Sequence, residues 1–252
     1  MKRDLEQIGS KTAKDGFKNE RDVVDKFNNW KIDYDSQSWL KAMNYNISEI
    51  ENVEAELISG HHKSDVQVRV NIYFKTLVGI ENISLKLVSS NTGFNQIDKR
   101  WVNKYVDMWN IPLNISNALK LFTGEIKPSK TELRDKRRMY FDEMEIKTQK
   151  EIIKFFTKNK ILILSDIIKG NDEFSASWLM VVWKKVDSNP EWLIHDINYV
   201  LNFYGNGNVS ITERGNLKIG KVTMQRKGGD AGRNTANMLQ FKINPLKLFE
   251  NQ

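Results

Sequence analysis

Asp65, Ser84 and Lys86 have types and a spacing that can do chemistry: an acid, eighteen residues, a short polar residue, any residue, a lysine. A carboxylate with carbonyl oxygens close by, such as that of Leu85, suits a hard cation like Mg²⁺. A lysine beside such a site can orient or activate a water, or offset negative charge on a phosphate in the transition state. Together these groups suit metal-assisted hydrolysis of a phosphodiester. The plain alternative is a solvated strand face on which an Asp and a Lys fall by chance.

The elements that must position them are two strands. Val66, Val68, Val70, Ile72 and Phe74 alternate with Gln67, Arg69, Asn71 and Tyr73, the period-2 pattern of a half-buried strand. Asp65 starts this strand on the face opposite the valines. In the second strand Ile83, Leu85 and Leu87 share one face, while Ser84, Lys86 and Val88 share the other. Leu77-Val-Gly79 suits a turn, so the two runs form a hairpin on which Ser84 and Lys86 can meet Asp65.

Charge says what such a site would act on. The chain has 252 residues, enough for one large domain or two small ones, and a net charge of +7. Residues 1–60 carry nine Lys/Arg and twelve Asp/Glu, whereas residues 214–247 carry eight and one, and residues 127–160 carry eleven and six. Two concentrated basic segments suit a polyanion such as nucleic acid. No apolar run is long enough to cross a membrane and nothing reads as a signal peptide. The absence of cysteine excludes disulfides and thiolate metal sites and fits a reducing cytoplasm.

Other elements follow from periodicity. Residues 17–31 read as a helix whose stripe is Phe17, Val24, Phe27 and Trp30, with Glu20 inside it. A carboxylate on such a face is costly unless paired, so Glu20 is expected to point toward the metal site. Short helices are expected over 36–43 and 48–53. Asn95 is expected to cap a helix carrying Ile97, Trp101, Tyr105 and Met108, its N-terminus aimed at the active site, where N–H groups favour phosphate. Phe94 is a large aromatic in a polar loop, read either as an anchor folded into the core or as a wedge pushed between base pairs, with Gln96 beside it. Residues 110–130 hold a short helix. Residues 148–158 and 190–204 read as helices and 177–186 as a strand, while 161–164 is too short to decide. His61 and His62 lack spaced partners and read as a turn; His195 reads as structural.

The C-terminal part reads as hairpins, 209–212 with 217–219, then a strand to 226 and a last strand over 238–243. Between the last two lies a loop with three glycines and almost no apolar residue. Arg226, Lys227 and Arg233 can donate to guanine, Gln225, Asn234 and Asn237 can pair with adenine or reach phosphate, and Asp230 can accept from cytosine. Arg137 and Arg138, in the run 134–138, are expected to grip the DNA backbone, which positions without reading sequence.

The chain also resembles a known family. The Asp…Ser-Leu-Lys arrangement has the form of the PD-(D/E)xK nuclease motif, and the chain is similar to type II restriction endonucleases of the HinP type, cutters of GCGC related to MspI-like enzymes. The likeness rests on GSKTAKDGFKNE (Gly9–Glu20), KSD (Lys63–Asp65), LKLVS (Leu85–Ser89), GFNQIDK (Gly93–Lys99), DKRRM (Asp135–Met139), and QRKGGDAGR with TANMLQFK (Gln225–Lys242), nearly the whole length. It implies an α/β core, a central mixed sheet flanked by helices, with a β-rich C-terminal DNA-recognition part. Residues 1–130 would be the catalytic core and 131–252 a helical segment and recognition region, packed as one elongated unit. Asp65, Leu85 and Glu20 would hold one or two Mg²⁺ ions, Ser84 would bind through water, and Lys86 would activate the attacking water. Phe94, Asn95, Gln96 and Lys99 would join the glycine-rich loop on double-stranded DNA. The implied companions are a cognate methyltransferase in the same bacterial cytoplasm and, on a palindrome, either a homodimer or a monomer. The pattern departs at Ser84, where the family has glutamine and most of the superfamily an acid, which leaves the number of metal ions open. Two other readings use the same fold: a repair-type nuclease, and a sequence-specific DNA-binding protein with a decayed site. An RNA-binding protein ranks behind them, for no short RNA-recognition motif is present.

Overall fold

The computed structural model of the chain describes residues 18–58, 67–89, 93–185 and 189–251. Asp65, His61, His62 and the segment Gly9–Phe17 lie outside these residues. The described part forms two compact units.

The first unit comprises residues 1–95, 169–201 and 244–252. Its sheet runs β1 (Asn52–Ile58), β2 (Gln67–Tyr73), β3 (Val78–Val88), β5 (Trp178–Trp183), β6 (Glu191–Asp196). The pair β3–β5 is parallel and the others are antiparallel, so the sheet is mixed. The hairpin β2–β3 forms as its alternation predicts, with Gln67 opposite Ser84 and Tyr73 opposite Val78. Val68, Val70 and Ile72 pack with Ile83, Leu85, Met180 and Ile194 against two helices. Helix α1 (18–28) supplies Val23 and Phe27, and α2 (Tyr34–Ala42) supplies Trp39 and Leu40. Asp33 caps α2 by accepting from the Ser36 amide at 2.8 Å, and Lys26 reaches back to Asp35 at 2.6 Å.

Two helix expectations fail in this unit. Residues 48–53 hold a single 3₁₀ turn, Ile47–Glu49, and then β1, because Val53 turns into the core while Glu54 on the alternate face stays exposed. Residues 190–204 are β6 followed by α7 (Ile197–Gly205). The register Trp192↔Val182, Leu193↔Val181 gives β6 a ladder that outweighs local helix propensity.

The second unit, residues 96–168 and 202–243, carries a sheet ordered β4 (Asn95–Arg100), β10 (Leu239–Ile243), β9 (Val222–Arg226), β8 (Leu217–Ile219), β7 (Val209–Ile211). The C-terminal hairpins are as expected, and the turn between β7 and β8 closes through Gly215, whose φ of +70° suits glycine. Asn95 does not cap a helix. It opens β4, in which Ile97 and Asp98 are buried; Arg100 holds Asp98 at 3.1 Å, and the Tyr105 hydroxyl also donates to it. The helix that follows, α3 (Val102–Trp109), has the stripe Val102, Tyr105, Trp109. Then come α4 (Leu113–Thr123), α5 (Ile146–Lys158) and α6 (Lys160–Leu164). Each unit draws on separate stretches of chain.

Candidate active site and nucleic-acid interface

Alternation along β3 puts Ile83 and Leu85 into the core with α1, and turns Ser84 and Lys86 to the other face. That face is not solvated: Ser84 is 1% and Lys86 5% exposed. Opposite Ser84 on β2 stands Gln67, also 5% exposed. The next rung down pairs Arg69 with Asn82. There Arg69 Nε donates to Asn82 at 3.1 Å, and Asn82 donates to the carbonyls of Glu173 and Ser175 at 3.1 and 3.2 Å. Buried polar groups on a sheet face cost stability unless paired, and on this rung they are paired. The donors around Ser84 are hydroxyl, carboxamide and carbonyl oxygens, the kind a hard cation takes. Among the described residues no group of three His, Cys, Asp or Glu gathers to hold a metal. Glu20 is half-buried, one turn before Val23 and Val24 on α1.

Phe94 follows a glycine at φ +58°, where a Cβ would come within 2.4 Å of Asn244 Oδ1. Asn95 then donates to the Leu87 carbonyl at 3.2 Å. Between these two restraints the Phe94 ring stands 59% exposed, so it is not folded into the core.

The second unit holds an open cleft of about 680 Å³ lined by Gly124, Lys127, Arg137, Arg226, Arg233, Asn237 and their neighbours. Arg226 clamps the glycine-rich loop to the end of α4. Its Nε donates to the Thr123 carbonyl at 2.8 Å and its Nη2 to Asn237 Oδ1 at 2.6 Å, while Asn237 Nδ2 donates to the Gly124 carbonyl at 3.2 Å. A cation is favourable at that helix C-terminus. Burial first, and then the neighbouring Arg138 and Arg137, hold the Arg226 pKa below its usual value, so the cluster favours an anion. Arg137 is held by both oxygens of Asp135 at 2.9 Å, which brings the Asp135 carboxyl down to about 2. In the loop, Lys227 and the Thr235 hydroxyl both bond to Asp230, and these contacts hold its carboxyl below the usual range. Gly228, Gly229 and Gly232 all have positive φ, and a Cβ at any of them would meet nothing within 4 Å, which leaves the backbone open to a ligand.

A model of the R.HinP1I restriction endonuclease family matches residues 43–249. The chain belongs to that family. It is a type II, site-specific deoxyribonuclease. Among solved structures the endonuclease is similar in fold to restriction endonuclease MspI, crystallised with its cognate DNA, at 13% identity and a TM-score of 0.61 over 90% of this chain and 88% of that one. No curated protein matches it.

Of the expected DNA-binding residues, the endonuclease gathers Arg137, Arg226, Arg233 and Asn234 around the cleft. Arg138 does not line the cleft: it is 8% exposed, with its guanidinium 3.9 Å from the centre of the Tyr140 ring. Lys227 and Asp230 face each other before they face anything else. Gln225, Gln96 and Lys99 are half-buried on β9 and β4. Asn237, expected to pair with adenine or reach phosphate, also lines the cleft, whereas Lys127 was missed. Lys127 had no signal in the sequence, since only the fold carries it to the loop.

Proposed function

We propose that the enzyme cuts double-stranded DNA at GCGC, a palindrome of G and C, with Mg²⁺ held on the β2–β3 hairpin. The observation that carries this is the burial of Lys86 and Ser84 together on one face of the strand that resembles the nuclease motif. Each step along β3 is matched by one step back along β2. Asp65, the Leu85 carbonyl and, through water, Ser84 would hold the ion, with Glu20 as a further acid. When bound, the ion would stabilise charge on the scissile phosphate and on the leaving oxygen. Lys86 orients the attacking water and takes up part of its developing charge, and the buried face keeps bulk water from competing with it. Arg137, Arg233 and Asn234 approach DNA at the open loop, and Phe94 wedges into the duplex. Arg, Lys and Asp suit a site of G and C. The enzyme would work in the bacterial cytoplasm beside a methyltransferase that protects the host's own GCGC sites.

A plasmid digest with the cut ends sequenced tests the reading. Discrete fragments that all end at GCGC, absent when Mg²⁺ is chelated, are expected; scattered ends would refute the site and point to a repair-type nuclease.

A further inference from the structure

Resting on the reading that DNA lies at the cleft beside α4, we propose that the exposed face of α5 is a second contact surface for the same duplex. On it Lys147, Lys150, Lys154 and Lys158 meet backbone phosphates that flank the recognition site. The stretch 127–160 carries eleven Lys/Arg, and the cleft takes up Lys127 and Arg137. Others are engaged within the protein. Arg134 pairs with Asp142, Arg138 lies against the Tyr140 ring, and Lys160 donates to the carbonyls of Gly205 and Gly207 at 2.9 and 3.1 Å. The α5 lysines are different: all are exposed, and none is paired with an acid among the described residues. They follow one another at spacings of i+3, i+4 and i+4, so they stand in one line along the helix, away from the buried Ile152 and Phe156. Like charges at these spacings repel and weaken a helix. The one acid within α5, Glu151, does not relieve them, for it accepts from Asn114 at 2.7 Å. A bound polyanion would remove that repulsion and release its own counterions. The line also leads off from the cleft. The chain entering α5 packs at the C-terminal end of α4, where Phe141 stacks on Phe122 with ring centres 4.0 Å apart, and Glu151 meets Asn114 at the other end of α4. α5 therefore runs back along α4, away from Gly124 in the cleft wall. At 1.5 Å per residue, Lys147 to Lys158 spans about 16 Å, the length of about five base pairs. Ammonium groups on flexible stems act on phosphate as point charges, so they hold the flanking duplex without reading it.

The test is equilibrium binding in Ca²⁺ as a function of salt. Two duplexes share one GCGC and differ in flank, with about three base pairs on each side in one and about twelve in the other. The proteins are the full-length wild type, the triple variant Lys150→Gln, Lys154→Gln, Lys158→Gln, and Arg233→Ala from the cleft. Glutamine keeps helix propensity, so α5 is retained. On the long duplex the slope of log K against log salt should be smaller by about 2–3 in the triple variant, and the wild type's preference for the long duplex should be lost. On the short duplex the slopes of the wild type and the triple variant should agree to within about 0.5. A triple variant with the wild-type slope on the long duplex overturns the proposal, and so does a fall of equal size on both duplexes, which would place these lysines at the recognition site itself. Arg233→Ala separates the two levels. If it weakens binding to both duplexes while the triple variant weakens neither, the cleft reading stands and α5 alone is removed; if neither protein differs from the wild type, DNA lies elsewhere and both fail.

Discussion

At the scale of single residues, the chemistry depends on burial that residue types do not disclose. Asp, Ser and Lys at this spacing occur on many exposed strands. Here Lys86 and Ser84 are shut inside a sheet face. Alternation was enough to read which face they share; that the face is buried was not legible, because alternation does not say what packs on either side. Glu20→Gln belongs at this scale too: as a further acid for the ion, it should raise the Mg²⁺ requirement, and an unchanged requirement would exclude it. A second residue-scale prediction concerns pH. The side-chain hydrogen bond from Arg137 lowers the Asp135 carboxyl from the ordinary 3.8 to about 2. A carboxyl depressed in the folded state contributes stability above its unfolded pKa and loses it as pH falls through the folded one. The melting-temperature gap between the wild type and Asp135→Asn should therefore be constant above about pH 4 and close as pH falls toward about 2. A gap that persists at pH 2 would show that Asp135 acts by packing alone.

At the scale of elements, what could be read was periodicity with a strong contrast. The hairpin β2–β3 and the C-terminal hairpins were legible because apolar and polar residues alternate cleanly there. β6 and β4 were not. Glu191–Asp196 looks helical by composition, and its ladder with β5 is what makes it a strand. Asn95 looks like a cap, but its side chain bonds back to Leu87, and the residues after it join a sheet through a strand more than a hundred residues away. The glycine-rich stretch was legible as a loop, though its anchoring to α4 through Arg226 and Asn237 was not. Gly232 has φ +85° with open space around its α-carbon. Gly232→Ala should thus cost about 1 kcal/mol locally through backbone strain. DNA binding should weaken while the melting temperature stays nearly constant; unaffected binding would mean that the loop does not touch DNA. The Phe94 segment yields its own prediction. With a fluorescent base analogue at the centre of the site, wild-type protein should raise the emission and Phe94→Ala should not. Equal emission from both would remove the wedge.

At the scale of the whole molecule, the uneven charge was visible from the start, since residues 214–247 carry eight basic groups and one acid. The fold concentrates part of that charge: Arg226 and Arg233 share a cleft with Arg137 and Lys127, which come from the other basic stretch. Phosphate contacts by such a cluster would make affinity fall with salt. Arg233→Ala should weaken binding across sequences and reduce the slope of log K against log salt by about 1; a change confined to one base position would mark Arg233 as a base reader. Domain organisation was the least legible feature, because each unit is assembled from discontinuous stretches that no composition shift announces.

The most direct test of the account is single-turnover cleavage of a labelled duplex containing one GCGC by the wild type and Lys86→Ala, with binding to the same duplex measured in Ca²⁺. The account predicts that Lys86→Ala binds as the wild type does but cuts about 100- to 10,000-fold more slowly, since positioned proton transfer and charge stabilisation are lost together. Equal cutting by both would place the chemistry elsewhere. Tight, specific binding without cutting by the wild type would identify a DNA-binding protein with a decayed site.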